Sequence, residues 1–318
     1  MKRNTLLLLS SFCLLPSAFL HAASTISAEQ TNQVSYGANI GWMNWYADNT
    51  NGVAVGEYVL AGHIWSANVG WIHLGTGSPT NGVTYSNTST NDYGVNHLGT
   101  GELRGYAYGA NIGWIIFTNA TAGGPLLSTE VPRFDLATGR FRGYAYSANC
   151  GWIALSNDFA AVQTVTLAPG TDTDGDGIPD AWELEQTGNL VTLTASGDAD
   201  GDGVTDRNEY QADTDPLDSN DLLRIIAYSA NSAGSTSTVT WTSRPTRLYR
   251  VQSRDSLTSG NWTTNTPPGL VSADGATTTR DVPGTATSNR FFRVQGLLPL
   301  APVNIGYALI DRIIFPAS

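Results

Sequence analysis

Two runs of the chain space their acids as a twelve-residue calcium loop does. Asp172, Asp174, Asp176, Asp180 and Glu183 stand at positions 1, 3, 5, 9 and 12 of the first, with Gly177 at position 6. Asp198, Asp200, Asp202, Asp206 and Glu209 repeat the schedule, with Gly203 at position 6. Carboxylates at alternate early positions converge on one centre, the glycine permits the sharp turn, and the closing glutamate binds with both oxygens. The backbone carbonyls of Ile178 and Val204 serve at position 7. An all-oxygen cage suits a hard divalent cation, and the run holds no His or Cys for a softer metal. Two or more Ca2+ ions are the expected cofactors. A solvated acidic linker, whose Asp-Gly pairs are simple turns, is the plain alternative. It does not account for two copies with every side-chain position in register. Bound cations also remove the mutual repulsion of fifteen carboxylates between Asp172 and Asp221, a run with a single Arg.

The loops lack the marks of a paired EF-hand. Residues 167–171 lead into the first with no helix signal, whereas 181–187 can leave it as a short helix closed by Gly188. Pro179 occupies position 8, where paired hands exchange a backbone hydrogen bond that proline cannot donate. With their Asp-x-Asp-Gly-Asp-Gly cores and the trailing acids from Asp213 to Asp221, the loops resemble the thrombospondin type-3-like calcium repeats of secreted bacterial proteins. That resemblance implies a calcium-stabilised segment. It also implies that trailing acids can join a neighbouring ion, which makes Asp213 and Asp215 further candidate ligands.

The elements around the loops follow from the rest of the chain. Met1-Lys2-Arg3, the apolar run from Leu6 to Leu15 and the small residues up to Ala23 form the three regions of a secretory signal peptide, 1–23. That run is too short, and too broken by Pro16, to span a membrane. Lys2 is the only lysine, so the mature chain has none for Schiff-base chemistry or a phosphate loop. Cys150 is its only cysteine, which leaves calcium rather than a disulfide as the available staple. The net charge of −11 comes from the calcium run, and no basic stripe exists to hold a nucleic acid. A secreted or cell-surface protein is expected, its partner a glycan or another surface or matrix component.

Residues 24–168 contain four copies of one unit. Its core reads Tyr36-Gly-Ala-Asn39-Ile-Gly41-Trp42, and it recurs at Trp65 to Trp71, Tyr108 to Trp114 and Tyr146 to Trp152. Thr-Gly marks a hairpin turn, Gly-Tyr-Ala-Tyr alternates as a strand, and Asn-x-Gly turns the chain again. Trp-Ile-x-Phe then reads as a strand covered on both faces. Three short strands per unit would be stacked or arranged around an axis as a small propeller, closed when residues 160–167 pair back with the first unit. An aromatic at one place in every unit is expected to fill one core position, with the neighbouring Asn capping its own turn. Trp45, Tyr46 and Tyr106 depart from the register and are the aromatics expected at the surface. The unit also resembles a repeat of exported proteins of environmental bacteria.

Beyond the calcium segment, 169–221, five strand-like runs separated by Gly, Pro, Asn and Ser turns suggest a small β-sandwich over 222–296. Its layout resembles fibronectin-III-like modules of exported bacterial proteins. Residues 297–318 form an apolar tail interrupted by Pro299 and Pro302. The expected fold is therefore mainly β: repeat domain, calcium loops with one or two short helices, then a sandwich.

No nucleophile elbow, zinc-protease helix or Cys-His constellation is present. Glycoside hydrolysis needs two carboxylates facing one cleft, and the repeats offer only scattered acids: Glu57, Asp92, Glu102, Glu130 and Asp135. Glu102 corresponds to Arg140 in the next unit, and Asp135 to His97, so the repeat preserves neither. The leading expectation is a non-enzymatic structural or adhesion protein whose connector is stiffened by calcium. A lectin-like protein using the repeat aromatics is the alternative, ahead of a glycan hydrolase.

Overall fold

The computed structural model describes residues 23–301 without 122–123, 126, 128, 231–235, 257, 265–269 and 284–289. The expected signal peptide up to residue 22 and the tail beyond residue 301 lie outside the described residues. The chain is mainly β, with two short helices.

Each Asn-x-Gly unit is one tight hairpin. The first joins β1 (Val34–Gly37) to β2 (Gly41–Asn44), and the second joins β3 (Leu60–Ser66) to β4 (Gly70–Thr76). The third joins β5 (Leu103–Gly109) to β6 (Gly113–Phe117), and the fourth joins β7 (Tyr144–Ser147) to β8 (Gly151–Ala154). In the first turn the Ile40 N–H donates to the Gly37 carbonyl at 3.2 Å, and Gly41 follows at φ +75°. That left-handed step lets a type I turn match the twist of its strands, and glycine takes it without a side-chain clash.

Neighbouring hairpins pair antiparallel, β2 with β3, β4 with β5 and β6 with β7. β8 returns to β1, with Tyr36 opposite Ala154 and Gly37 opposite Ile153. The repeat region is thus a closed eight-stranded barrel, and closure removes the free sheet edges of a linear stack. Residues 160–167 do return to the first unit, through bridges from Val162 to Gln33 and from Thr164 to Ile26. The closing ladder, however, is β1 with β8. Extra short strands flank the ring, such as Val95–His97 on β5.

The aromatics reverse the expected sides. Met43, Ile64, Ile72, Ile115 and Ile153 point inward, while Trp42, Trp71, Trp114 and Trp152 point out and stay 40–47% exposed. Each meets the aromatic opposite it in a tilted pair: Tyr36, Trp65, Tyr108 and Tyr146, with ring centroids 4.8–5.0 Å apart. The reason is volume. An eight-stranded barrel has room only for its own inward side chains, and here those positions already alternate Ile or Met with small residues such as Ser35, Ala107 and Ser147. Four indoles do not fit beside them. The strand after each turn is therefore covered on one face only. Trp45, out of register, is the buried one; its indole N–H donates to Ser35 Oγ at 2.8 Å.

The turn asparagines also act differently from expectation. Asn68 Nδ2 donates to the Ile40 carbonyl (2.9 Å), Asn111 to Val69 (3.1 Å), Asn149 to Ile112 (2.9 Å) and Asn39 to Cys150 (3.1 Å). Each caps the neighbouring turn rather than its own, and the fourth bond closes a ring over one end of the barrel. Ile40, Val69, Ile112 and Cys150 are buried beneath it.

The C-terminal strands form two small sheets. β9 (Ile225–Ala230), β10 (Thr236–Thr242) and β12 (Thr277–Pro283) make one, and β11 (Leu248–Arg254) with β13 (Phe291–Leu297) centres the other. Val239, Trp241 and Val282 meet Tyr249, Val251 and Phe292 in one core, the packing of a small sandwich. The start of the tail runs back, with Leu300 against the barrel core.

Candidate metal centre

Between barrel and sandwich the acidic segment folds on a core of its own: Ile178, Trp182, Leu193 and Tyr210. Two helices follow the two loops. Helix α1 (Asp180–Thr187) follows Pro179, whose extended backbone precedes the first turn, and ends at Gly188 with φ +72°. Helix α2 (Asp206–Ala212) is capped by Thr205, whose side chain accepts from the Asn208 N–H. Each helix begins at position 9 of its loop, and its first turn carries the closing glutamate inward.

The loops share most of their contacts. Asp172 accepts from the Gly175 and Gly177 N–H groups at 2.8 and 3.0 Å; Asp198 accepts from Gly201 and Gly203 at the same distances. Asp176 Oδ1 accepts from Ile178, and Asp202 Oδ1 from Val204. Gly177 and Gly203 sit at φ +88° and +94°. The backbone thus holds both oxygens of Asp172 and Asp198, whereas at Asp176 and Asp202 it engages Oδ1 and leaves Oδ2 buried without a hydrogen-bond partner. One oxygen each from Asp172, Asp174 and Asp176 lies within 4.8 Å of the others, and Asp198, Asp200 and Asp202 form the second such group among the described residues.

The position-12 residues complete the pattern. Glu183 and Glu209 have no exposed surface. Both carboxylate oxygens of Glu183 and Oε2 of Glu209 are buried without a hydrogen-bond partner, as are Asp176 Oδ2, Asp200 Oδ2 and Asp202 Oδ2. Burial first, and then the charges of Asp174, Asp176, Asp180 and Asp172, push Glu183 up to about 7. Burial and Asp200 push Glu209 up to about 8, although a hydrogen bond from Thr214 opposes them. Buried, unpartnered carboxylate oxygens facing other carboxylates are costly unless a cation lies between them. The donor set therefore fits a hard divalent ion.

Residues 172–188 and 198–219 match the bacterial TSP3 repeat. The repeat is of a calcium-binding type, and its two Asp triads could hold metal ions. The match covers the two loops with their helices and does not extend to the barrel units or the sandwich. No curated protein and no solved structure matches the chain.

Other expected ligands of the TSP3 segment lie as follows. Asp180 accepts from the Thr173 N–H and hydroxyl, and Asp206 from the Thr194 and Ala199 N–H groups. Position 9 of such loops often reaches its ion through water. Asp213 and Asp215 are not in either triad. Asp213 faces Arg247 at 3.6 Å and the Thr246 hydroxyl, and Asp215 accepts from the Leu217 N–H. Thr214, which donates to Glu209 Oε1 at 3.2 Å, carries no signal in the loop spacing. Nor does Arg247, 2% exposed, which pairs with Glu57 of the barrel at 3.1 Å and donates to the Tyr210 and Gln211 carbonyls of α2.

The scattered acids of the barrel have local partners. Glu57 also accepts from the Tyr210 hydroxyl, Asp92 holds the Thr80 and Ser86 N–H groups, and Glu102 pairs with Arg104. Glu130 caps Leu127, and Asp135 closes its own turn at Thr138. No helix among the described residues is long and apolar enough to cross a membrane.

Proposed function

We propose that the chain is an exported, non-enzymatic structural or adhesion protein in which two calcium ions lock the connector between a β-barrel and a β-sandwich. One observation carries this: in twin loops a fully buried glutamate with at least one unpartnered oxygen lies within the field of a triad of aspartates. The helices that bear those glutamates also bear the contacts to both neighbours. Tyr58 of the barrel donates to Glu185 of α1, Tyr210 of α2 donates to Glu57, and Arg247 of the sandwich binds α2. Filling the loops orders α1 and α2, and with them the seating of the two β-modules. Extracellular calcium modules bind with Kd of about 10⁻⁴ to 10⁻³ M, which suits a permanently loaded structural role.

Chelation tests the proposal. At ten- to hundredfold calcium excess over Kd, each site contributes about 1.4 to 2.7 kcal/mol to stability. Removing calcium lowers the melting temperature and opens residues 184–193 to protease. Identical melting and proteolysis with and without calcium would refute it.

A further inference from the structure

The third hairpin differs from the others in what lies over its outer face. The interval from Trp71 to Trp114, 43 residues against 29 and 38 for the others, accommodates a loop that folds back outside the barrel. There the Tyr93 ring meets the Trp114 indole edge-on at 4.9 Å, and Tyr106 flanks the same indole at 5.9 Å. Between loop and strand lies a cavity of about 260 Å³. Its walls are these three aromatics, and its rim is Asn87 with the hydroxyl-bearing residues 88–90. No charged side chain lines it.

The loop is a fixed wall rather than a loose cover. Asp92 accepts from the Thr80 and Ser86 N–H groups at 3.1 and 2.9 Å. Asn87 accepts from the Gly94 N–H and donates to the Tyr85 carbonyl, and the Tyr93 hydroxyl shares a 2.8 Å hydrogen bond with His73 Nδ1. Trp114 nevertheless keeps 40% of its surface exposed. The wall stands beside the indole without burying it, and a preorganised cleft loses little entropy on binding.

We propose that this cleft binds one sugar ring of a neutral polysaccharide. Aromatic faces match the apolar C–H faces of a pyranose, while hydroxyl and amide groups at the rim match its hydroxyls. The uncharged lining excludes an ionic anchor. A net charge of −11, with the only lysine at position 2, also disfavours an anionic lipid surface or another polyanion.

Native electrophoresis through gels containing hydroxyethylcellulose, mixed-linkage β-glucan, galactomannan, arabinoxylan or dextran tests it with the whole protein. At least one polymer retards the wild type, and retardation persists in chelator, which separates this site from the calcium connector. Trp114→Ala and Tyr93→Ala each weaken retardation at least tenfold. Trp42→Ala, on a hairpin without the loop, does not. Melting curves show that the exposed-indole variant is folded. Three results overturn the proposal: no polymer retards the protein, Trp42→Ala acts as strongly as Trp114→Ala, or sedimentation shows a dimer that Trp114→Ala dissolves without any polysaccharide retardation.

Discussion

Glu183 and Glu209 are the side chains whose chemistry is least tolerable without a cation. Glu183→Gln keeps the shape and removes the charge. Titration calorimetry should then find one calcium per chain instead of two, and the metal-free variant should melt higher than the metal-free wild type because a buried, repelled carboxylate has gone. Two ions bound to Glu183→Gln would refute the assignment. His97 offers a separate test by acid. It is buried, donates through Nδ1 toward the Gly56 carbonyl and accepts the Gly101 N–H at Nε2, so its neutral form is the one the fold needs. Burial lowers it to about 4, partly opposed by the carbonyls of Gly56 and Glu57. A base held below its unfolded value of about 6.5 stabilises fully above that pH, and the contribution is lost as pH falls toward 4. Denaturant titrations at pH 7.5 and 4.5 should show the wild type losing on the order of 2 to 3 kcal/mol more than His97→Gln over that interval.

The hairpins are legible in their own residues, because turn and strands fall within one run of 11 to 17 residues and Asn-x-Gly forces the reversal. The calcium loops are legible for the same reason, since every ligand lies within twelve residues. Which face turned inward was not legible. Trp-Ile-x-Phe is apolar on both sides, and only closure into a narrow barrel decides that isoleucine enters and tryptophan stays out. The partners of the asparagines were hidden too. Asn39 reaches Cys150 across 111 positions, a distance local turn chemistry does not foresee. Each of these bonds is worth about 1 kcal/mol, so Asn149→Ala should lower stability by that amount in denaturant titration. Gly113→Ala, at φ +72°, should cost about 1–2 kcal/mol. An unchanged midpoint in both variants would refute the role of the ring.

Across the whole molecule the three cores meet at Arg247. It is buried between Glu57 of the barrel and Asp213 behind α2, while its own chain belongs to the sandwich. Glu57 and Arg247 are 190 residues apart, so nothing in the spacing announces them. Removing one partner of a buried pair costs about 3–5 kcal/mol. Arg247→Met should accordingly split one calorimetric transition into two and enlarge the particle in small-angle scattering, even with calcium present. A single transition of unchanged enthalpy would show that the node carries no coupling.

The ring of four asparagines has a further consequence, for heredity. In an open solenoid, unequal crossing-over can add or delete a unit and leave a working molecule. Here a fifth hairpin would bring its own asparagine and carbonyl but would force the closed barrel wider than its inward side chains fill, and three would not reach round, so the copy number is locked. The starting point is not: a gene cut and rejoined at another junction between hairpins would still encode the same circle.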